Sequence, residues 1–170
     1  MMDALRCVHR AELPDAWVVA GFVRHKVWDV LHGYDHRSFP TDIDVVFFDP
    51  QRPAAEDRAL EAQLAAWEPG YPWEVYNQAH MHVYNHNQPY TSCVDSFSRW
   101  AETVSTVGVR LNGDARVELV APHGIEDLVN MVIRPTPHPD AQRDVFESRL
   151  RTKGWTTQWP MVRVDRSTKE

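Results

Sequence analysis

One buried strand headed by two carboxylates constrains the fold of this chain more than any other feature. The segment "TDIDVVFFDP" (41–50) contains an apolar run at 45–48 that is short and apolar on both faces. Such a run predicts a strand that is covered on both sides. Asp42 and Asp44 open this strand. Because alternate residues of a strand point to the same face, their carboxylates are expected on one side of the sheet.

Two carboxylates this close repel each other unless a cation lies between them. Oxygen ligands of this kind suit Mg²⁺, which binds one or two carboxylates and completes its coordination with water and substrate phosphates. The pair formed by Asp42 and Asp44 therefore indicates a magnesium site. The alternative is structural: Asp42 caps a turn after Pro40, and Asp44 forms a salt bridge at the beginning of the strand.

The strand-to-helix turn before this segment indicates an anion site. "AWVVAG" (16–21) predicts a buried strand, and "FVRHKVWDVLHG" (22–33) follows it directly with apolar residues at helical spacing. The first N–H groups of a helix bind anions, phosphate above all. Arg24 lies in the first turn and can reach the same anion through two hydrogen bonds. The alternative is a tight turn at Gly21 with a solvated arginine.

A third carboxylate is expected from another strand. Glu74 lies in "WEVYN" (73–77), where a charged residue interrupts an apolar alternation and needs a partner. If this strand lies beside the one that carries the two aspartates, Glu74 completes a cluster of three carboxylates. Glu118 in "RVELVAP" (116–122) has the same local pattern and is the rival candidate. Alternatively, Glu74 lies on the wet face of an edge strand.

The rest of the pattern alternates strands with helices and ends in a hairpin around the turn "NGD". Helices are predicted at 52–67, 91–100, 124–133 and 140–153, and a further strand at 103–111. In the helix at 124–133, the residues expected to point inward are Ile125, Leu128, Val129 and Val132. Residues 78–87 fit neither element clearly. This order is typical of a mixed sheet covered by helices, in an α/β or α+β domain.

Composition limits the class of protein. The chain has 170 residues, 43% of them hydrophobic, which suits one domain spanning 1–170 with its C-terminal helix and tail packed on it. The net charge is −6 without a basic stripe, so a long nucleic acid is not an expected partner. Two cysteines make no disulfide framework, and no segment has the pattern of a signal peptide or a membrane span. A cytoplasmic location is expected.

The segments "AGFVRHKVWDVLHG" and "TDIDVVFFD" resemble the beginning of the nucleotidyltransferases of the DNA polymerase beta superfamily. The likeness is greatest to the glycine–x–valine–arginine form of tRNA CCA-adding enzymes. With "WEVYNQAHMH" and "VELVAPHGIEDL", residues 10–160 also resemble a small bacterial family of stand-alone nucleotidyltransferase-like proteins whose substrate is not established. The resemblance implies an α+β fold of the polymerase beta type, with a mixed sheet of about five strands covered by helices.

The same resemblance implies a magnesium-dependent reaction. Two Mg²⁺ ions would be bridged by Asp42 and Asp44, with Glu74 as third ligand and possible base. A nucleotidyl group would pass from a nucleoside triphosphate to a hydroxyl of an acceptor that the sequence does not identify. In such chemistry, metal ions lower the pKa of the acceptor hydroxyl and neutralise charge on the leaving pyrophosphate.

The resemblance implies that the triphosphate binds at Gly21, Phe22 and Arg24, but the chain departs from the superfamily pattern there. Phe22 stands where the superfamily usually has glycine or serine, and His25 stands where CCA-adding enzymes have an acid. A long helical body, with which tRNA enzymes hold their substrate, is not expected from these 170 residues. These departures favour a second hypothesis, an inactive nucleotidyltransferase fold that binds a nucleotide or a partner.

The histidines of "AHMHVYNH" (79–86) suggest a third hypothesis, a zinc hydrolase. His82 and His86 could share zinc on a helix, and His80 and His82 could do so on a strand. Asn77 and Gln78 follow the predicted third-carboxylate strand, and with His82 they are candidate substrate contacts. The two amides could equally cap the next element. Trp155 and Trp159 are expected to fasten the C-terminal segment to the body.

Overall fold

A mixed sheet of five strands forms the centre of the computed structural model, which describes residues 1–36, 38 and 41–168. The strands are β1 (Trp17–Val19), β2 (Ile43–Phe47), β3 (Trp73–Asn77), β4 (Gly108–Leu111) and β5 (Val117–Val120). Their order across the sheet is β3-β2-β1-β4-β5. The pair β2–β3 is parallel and the other three pairs are antiparallel. The predicted mixed sheet of about five strands is confirmed.

Helices cover this sheet. In chain order they are α1 (Met2–Arg10), α2 (Gly21–Leu31), α3 (Asp57–Trp67), α4 (Gln78–Tyr84), α5 (Cys93–Ser98), α6 (Glu126–Val129), α7 (Arg143–Thr152) and α8 (Trp155–Gln158). A second, parallel pair of short strands consists of β6 (Val132–Ile133) and β7 (Arg163–Val164). In the described part of the chain, no helix combines the length and apolar character needed to cross a bilayer.

The two faces of the sheet are buried unequally. On the core face, Val18, Val45 and Val75 belong to the large apolar core together with residues of α1, α2 and α3. On the opposite face, Val19 and Val46 join a smaller cluster with residues of α5. Side chains alternate along a strand, so Asp44 lies on the same face as Val46. We call this the site face.

The C-terminal segment packs on α2, as the tryptophans predicted. The Trp159 side chain is fully buried, its ring lies edge-on to that of Trp28 with centroids 5.3 Å apart, and its Nε1 donates to Asp29 Oδ1 over 2.9 Å. Trp155 is also buried. Gly154, between α7 and α8, has φ +62°, a left-handed conformation that glycine adopts without steric cost.

Two predicted elements differ from those observed. The helix expected at 124–133 is the single turn α6, and Met131 at φ +55° turns the chain into β6. Val129 is therefore 42% exposed, whereas Leu128 and Val132 are buried as predicted. The strand expected at 103–111 begins only at Gly108, because residues 103–105 form a 3₁₀ turn. Residues 2–10, for which the sequence pattern indicated no element, form α1.

Candidate active site

The strand register brings two of the predicted carboxylates together. Asp44 on β2 is the direct neighbour of Glu74 on the parallel strand β3, and Asp42 lies two residues before Asp44 on the same chain segment. Glu118, the rival candidate, lies on β5, three strands away from β2. Its carboxylate Oε2 accepts a hydrogen bond from Arg110 Nε over 2.7 Å. Glu74 is thus the acid that neighbours Asp44.

The carboxylate of Asp44 is poorly compensated. Burial, followed by the negative charges of Asp42 and Glu74, raises the pKa of Asp44 to about 6, and the positive charges of Arg24 and Lys153 oppose this rise. The carboxylates of Asp42 and Asp44 form neither a hydrogen bond nor an ion pair with any other side chain among the described residues. The salt bridge that was the structural alternative for Asp44 is therefore not formed within the described chain.

The third carboxylate has a neighbour of its own. Glu74 Oε2 accepts a hydrogen bond from Tyr76 Oη over 2.7 Å. This bond and the charge of Glu74 raise the pKa of the Tyr76 hydroxyl. Across residues 1–36, 38 and 41–168, no group of three or more His, Cys, Asp or Glu side chains is gathered closely enough to hold a metal ion. The acids share one face without forming a closed ligand cage.

The turn from β1 to α2 has an unusual backbone. Ala20 adopts φ 51° and ψ −113°, which is costly for a residue with a Cβ and must be held by its surroundings. Its N–H donates to Val107 O over 2.9 Å, and its carbonyl accepts from Val23 and Arg24. Strained backbone of this kind is concentrated at functional sites.

Gly21 opens α2 without any need for a left-handed backbone. A Cβ placed there would lie 3.6 Å from a terminal nitrogen of Arg24 and 3.9 Å from Nε2 of His25, both ordinary contact distances. The fold itself therefore tolerates a methyl group at this position. A Cβ at this position would, however, contact the side chains of Arg24 and His25.

Arg24 is buried, with only 4% of its surface exposed. Its Nη1 donates to Ser105 Oγ over 2.9 Å, and its guanidinium carbon lies 4.8 Å from the centre of the Trp155 ring. The buried Nε finds no hydrogen-bond partner in the described chain. Burial lowers the pKa of Arg24 to about 10, so the side chain is charged at neutral pH. Asp29 does not pair with it, because that carboxylate accepts from Ser38 and Trp159.

The neighbouring His25 is neutral at physiological pH. Burial first, and then the charge of Arg24, lower the pKa of His25 to about 4. The His25 ring packs against Trp159 with centroids 4.6 Å apart. Phe22 is also buried in the main core, with 2% exposure. Its ring therefore lies inside the protein, and only its backbone borders the turn.

A cleft of about 350 Å³ opens on the site face beside Asp44. Ala20 and Ser105 line it near the turn, Tyr76 and Gln78 line it near β3, and α7 contributes Arg149. Sequence reasoning missed Ser105, Glu102 and Arg149 as parts of this site. The sequence contained little indication of this, because Glu102 lies in a segment without an apolar periodicity from which its burial could be predicted.

Asn77 at the end of β3 and Gln78 at the start of α4 have different roles in the structure. Asn77 is fully buried; its Oδ1 accepts from the N–H of Asp49 and Ala79, and its Nδ2 donates to the carbonyls of Asp49 and Arg52. It caps α4, the alternative to a substrate contact, and all of its side-chain polar atoms are occupied. Gln78 lines the cleft, although its Oε1 accepts from Ser96 Oγ and its Nε2 donates to Tyr76 O.

The histidine segment does not have the geometry of a zinc site. His82 lies on α4, but the helix ends at Tyr84, and His86 follows with φ +55°, outside the helix. The two rings are thus not on one helical face. His80 Nε2 is in hydrogen-bond contact with Arg52 O at 2.8 Å. His82 packs edge-on to Tyr90, with centroids 6.1 Å apart.

Solved structures of similar fold come from CCA-adding enzymes. An NMR structure described as a CCA-adding enzyme head domain is 36% identical to this chain, with a TM-score of 0.88 over 98% of this chain and 89% of that one. A Thermotoga maritima CCA-adding enzyme complexed with tRNA is 17% identical, with a TM-score of 0.59 over 98% of this chain and 38% of that one. A CCA-adding enzyme complexed with CTP is 16% identical, with a TM-score of 0.61 over 96% and 39%.

The two complexes share the fold alone with this protein, which spans about two fifths of their length. No curated protein matches the sequence significantly. A family model described as nucleotidyltransferase matches residues 6–164, which is nearly the whole chain. This match agrees with the mixed five-stranded sheet, the two acids at the start of β2 and the arginine in the first turn of α2. The chain belongs to the nucleotidyltransferase family.

Proposed function

We propose that this protein transfers a nucleotidyl group from a nucleoside triphosphate to a hydroxyl group of an acceptor, in a Mg²⁺-dependent reaction. The observation that carries the proposal is the register of β2 and β3, in which Asp44 and Glu74 are direct neighbours. Membership of the nucleotidyltransferase family supports the reaction class. The similar fold of an enzyme complexed with CTP supports a nucleoside triphosphate as the donor.

The acids fit a divalent cation. Asp42 and Asp44 form no ion pair with a described side chain, and burial, together with the charges of Asp42 and Glu74, raises the pKa of Asp44 to about 6. Carboxylate oxygens are ligands that Mg²⁺ prefers. In our proposal these three acids would hold two Mg²⁺ ions, which would supply charge neutralisation on the phosphates and a lower pKa for the acceptor hydroxyl.

The chain's own residues bind and orient the donor. The strained turn at Ala20 sets the start of α2, and Gly21 has no side chain to lie against the terminal nitrogen of Arg24, so a phosphate group would approach the helix start and Arg24 there. Phe22 contributes its backbone only, because its ring lies in the core. Arg24 adds a fixed positive charge, and Glu74 is the group that accepts the proton of the acceptor hydroxyl.

The test uses purified protein with Mg²⁺ and each of four α-labelled nucleoside triphosphates, and follows release of pyrophosphate and labelling of candidate acceptors. We expect one or more nucleotides to raise the melting temperature and to be consumed only in the presence of Mg²⁺. Asp44→Asn should abolish both effects. Nucleotide-independent melting, together with no consumption in any mixture, would contradict the proposal.

One observation favours a second candidate, a nucleotide-binding module without transfer activity. Glu74 Oε2 already accepts a hydrogen bond from the Tyr76 hydroxyl, so one oxygen of the third acid is occupied within the protein. A binding module would show the same Mg²⁺-dependent rise in melting temperature as the enzyme. It would release no pyrophosphate, and Tyr76→Phe, which frees Glu74, would be the variant to assay for gained transfer.

A further inference from the structure

Glu102 is a buried acid that the proposed reaction does not use. It is 1% exposed, and its Oε1 accepts a hydrogen bond from Arg149 Nε over 2.5 Å. Its Oε2 is buried and meets no hydrogen-bond donor in the described residues. A buried carboxylate is costly unless it is paired. The pairing with Arg149 is therefore the contact that keeps this acid in place.

Two arginines lie close to the Glu102 carboxylate. The guanidinium carbons of Arg24 and Arg149 lie 4.8 Å and 5.6 Å from the centre of the same ring, that of Trp155. Burial is the main reason that the pKa of Arg24 is lowered, and the charge of Arg149 lowers it further. The charges of Glu102, Asp44 and Asp42 oppose this shift, so these groups interact with Arg24. Two cations thus share one aromatic ring and one buried carboxylate, and an anion placed beside them would be stabilised.

Arg99 lines the same cleft, and all three nitrogens of its guanidinium donate hydrogen bonds to carboxylates. Its Nε and Nη2 donate to Asp95 Oδ1, and its Nη1 donates to Asp140 Oδ2. Arg149 differs, because its hydrogen bond to Glu102 uses Nε alone. Its terminal nitrogens donate to no side chain of the described residues, and its side chain is 33% exposed. The fork of the guanidinium is therefore available to a ligand.

Arg149 lines the cleft beside Asp44. It lines this cleft together with Asp44 and Ser105, and Ser105 Oγ accepts from Arg24. A triphosphate bound in this cleft would meet Arg149 directly, while Asp44 and Ser105, which accepts from Arg24, line the same space. Planar guanidinium groups bind phosphate through paired hydrogen bonds, which adds direction as well as charge.

We propose that Arg149 is a further triphosphate-binding residue of this site, and that Glu102 is the positioning residue that fixes its guanidinium. The ligand class is the polyphosphate chain of the nucleotide. This inference rests on the proposed function, and it extends the phosphate site from the start of α2 to the last turn of α7. The fork of Arg149 and the buried charge of Arg24 would then act on the same phosphate chain from neighbouring positions.

The test is calorimetric titration of the whole chain with Mg²⁺–tripolyphosphate, which carries the phosphate chain without a nucleoside. We expect Arg149→Ala to weaken binding roughly 10- to 100-fold, the factor that corresponds to a lost hydrogen bond between charged groups. Arg151→Ala is the matched control, because Arg151 lies on the same helix and is exposed. Arg149→Lys should restore only part of the affinity.

Glu102 is tested by rescue. Glu102→Ala should weaken tripolyphosphate binding, whereas Glu102→Gln, whose amide oxygen still accepts from Nε, should keep most of it at equal melting temperature. A purely structural role would lower the melting temperature of the alanine variant without changing the affinity of its folded fraction, and would overturn the positioning role.

Unchanged affinity in Arg149→Ala, or no binding of tripolyphosphate by the wild type, would overturn the inference. Either result leaves the proposed reaction to be judged separately, by whether Asp44→Asn abolishes nucleotide consumption.

Discussion

Glu74 and Glu118 stand in the same local pattern, a charged residue inside an alternating apolar strand, yet they occupy opposite environments. Glu74 lies on β3 beside the unpaired acid Asp44. Glu118 lies on the edge strand β5, where Arg110 neutralises it through a hydrogen bond and an ion pair. The fold thus compensates one acid and leaves the other beside a further carboxylate. Uncompensated acids in a cleft indicate a site for a cation or a reaction.

The largest effect on activity is expected at the aspartate pair. It tests whether the acids beside Glu74 have a function that the surroundings of Glu118 lack. Asp44→Ala should reduce nucleotide consumption by at least about 10³-fold, since it removes a proposed ligand of both metal ions. In EDTA the variant should melt at the same temperature as the wild type or higher, because like-charge repulsion is relieved. A large loss of stability in EDTA would mean that Asp44 is structural.

The second effect compares the two glutamates directly. Glu74→Gln should lower turnover about 10²-fold, a typical contribution of a general base. Glu118→Gln is the matched control and should leave turnover unchanged, because that carboxylate is three strands away from Asp44. Initial rates at saturating nucleotide and Mg²⁺ measure both variants. Equal rates for Glu74→Gln and Glu118→Gln would show that Glu74 has no catalytic role that Glu118 lacks.

A third, smaller effect is expected for the cation that faces the acids. Arg24→Ala should weaken Mg²⁺–triphosphate binding by roughly 1.5–3 kcal/mol, the usual cost of a hydrogen bond to a charged group. Arg24→Lys should rescue this only in part, because a point charge does not match the fork of a guanidinium. Titration calorimetry measures both variants. An unchanged dissociation constant would show that buried Arg24 serves the fold rather than the ligand.

The smallest effect concerns how the free energy of unfolding depends on pH, because Asp44 and Glu118 contribute to it with opposite sign. The pKa of Asp44 is raised to about 6, so the folded protein holds this proton more tightly than the unfolded chain does. Its contribution to stability is present below about pH 4 and declines as pH rises to about 6. The pKa of Glu118 is lowered by Arg110, so its contribution is lost as pH falls.

Urea unfolding in EDTA between pH 4 and 7 measures the contribution of Asp44. The wild type should lose about 1–2 kcal/mol relative to Asp44→Asn as pH rises, after allowance for the part of the carboxyl that solvent reaches. The comparison between variants is necessary because His25, whose pKa is lowered to about 4, contributes stability that falls as pH falls. Parallel curves for the two proteins would mean that the pKa of Asp44 is not raised in the folded protein.

Local chemistry made much of the fold predictable. Continuous apolar runs identified β1 and β2, alternation identified β3, and a proline followed by acids identified the beginning of the helical segment that contains α3. The resemblance implied the five-stranded sheet that the structure has. The helix predicted at 124–133 is longer than the one observed. Its apolar residues keep a helical spacing past Met131, but the positive φ of Met131 ends the helix, and no residue propensity indicates that conformation.

What only the tertiary structure decided is which charges meet. The sequence determined that acids open β2, that a glycine and an arginine begin α2, and that Glu74 and Glu118 are equivalent in pattern. Strand order separated these two glutamates, since pairing between strands far apart in sequence depends on the packing of the whole core. The same packing brought Glu102 and Arg149, 47 residues apart, into one ion pair beside Asp44. No local pattern encodes such a contact, because its partners are selected by burial and not by spacing.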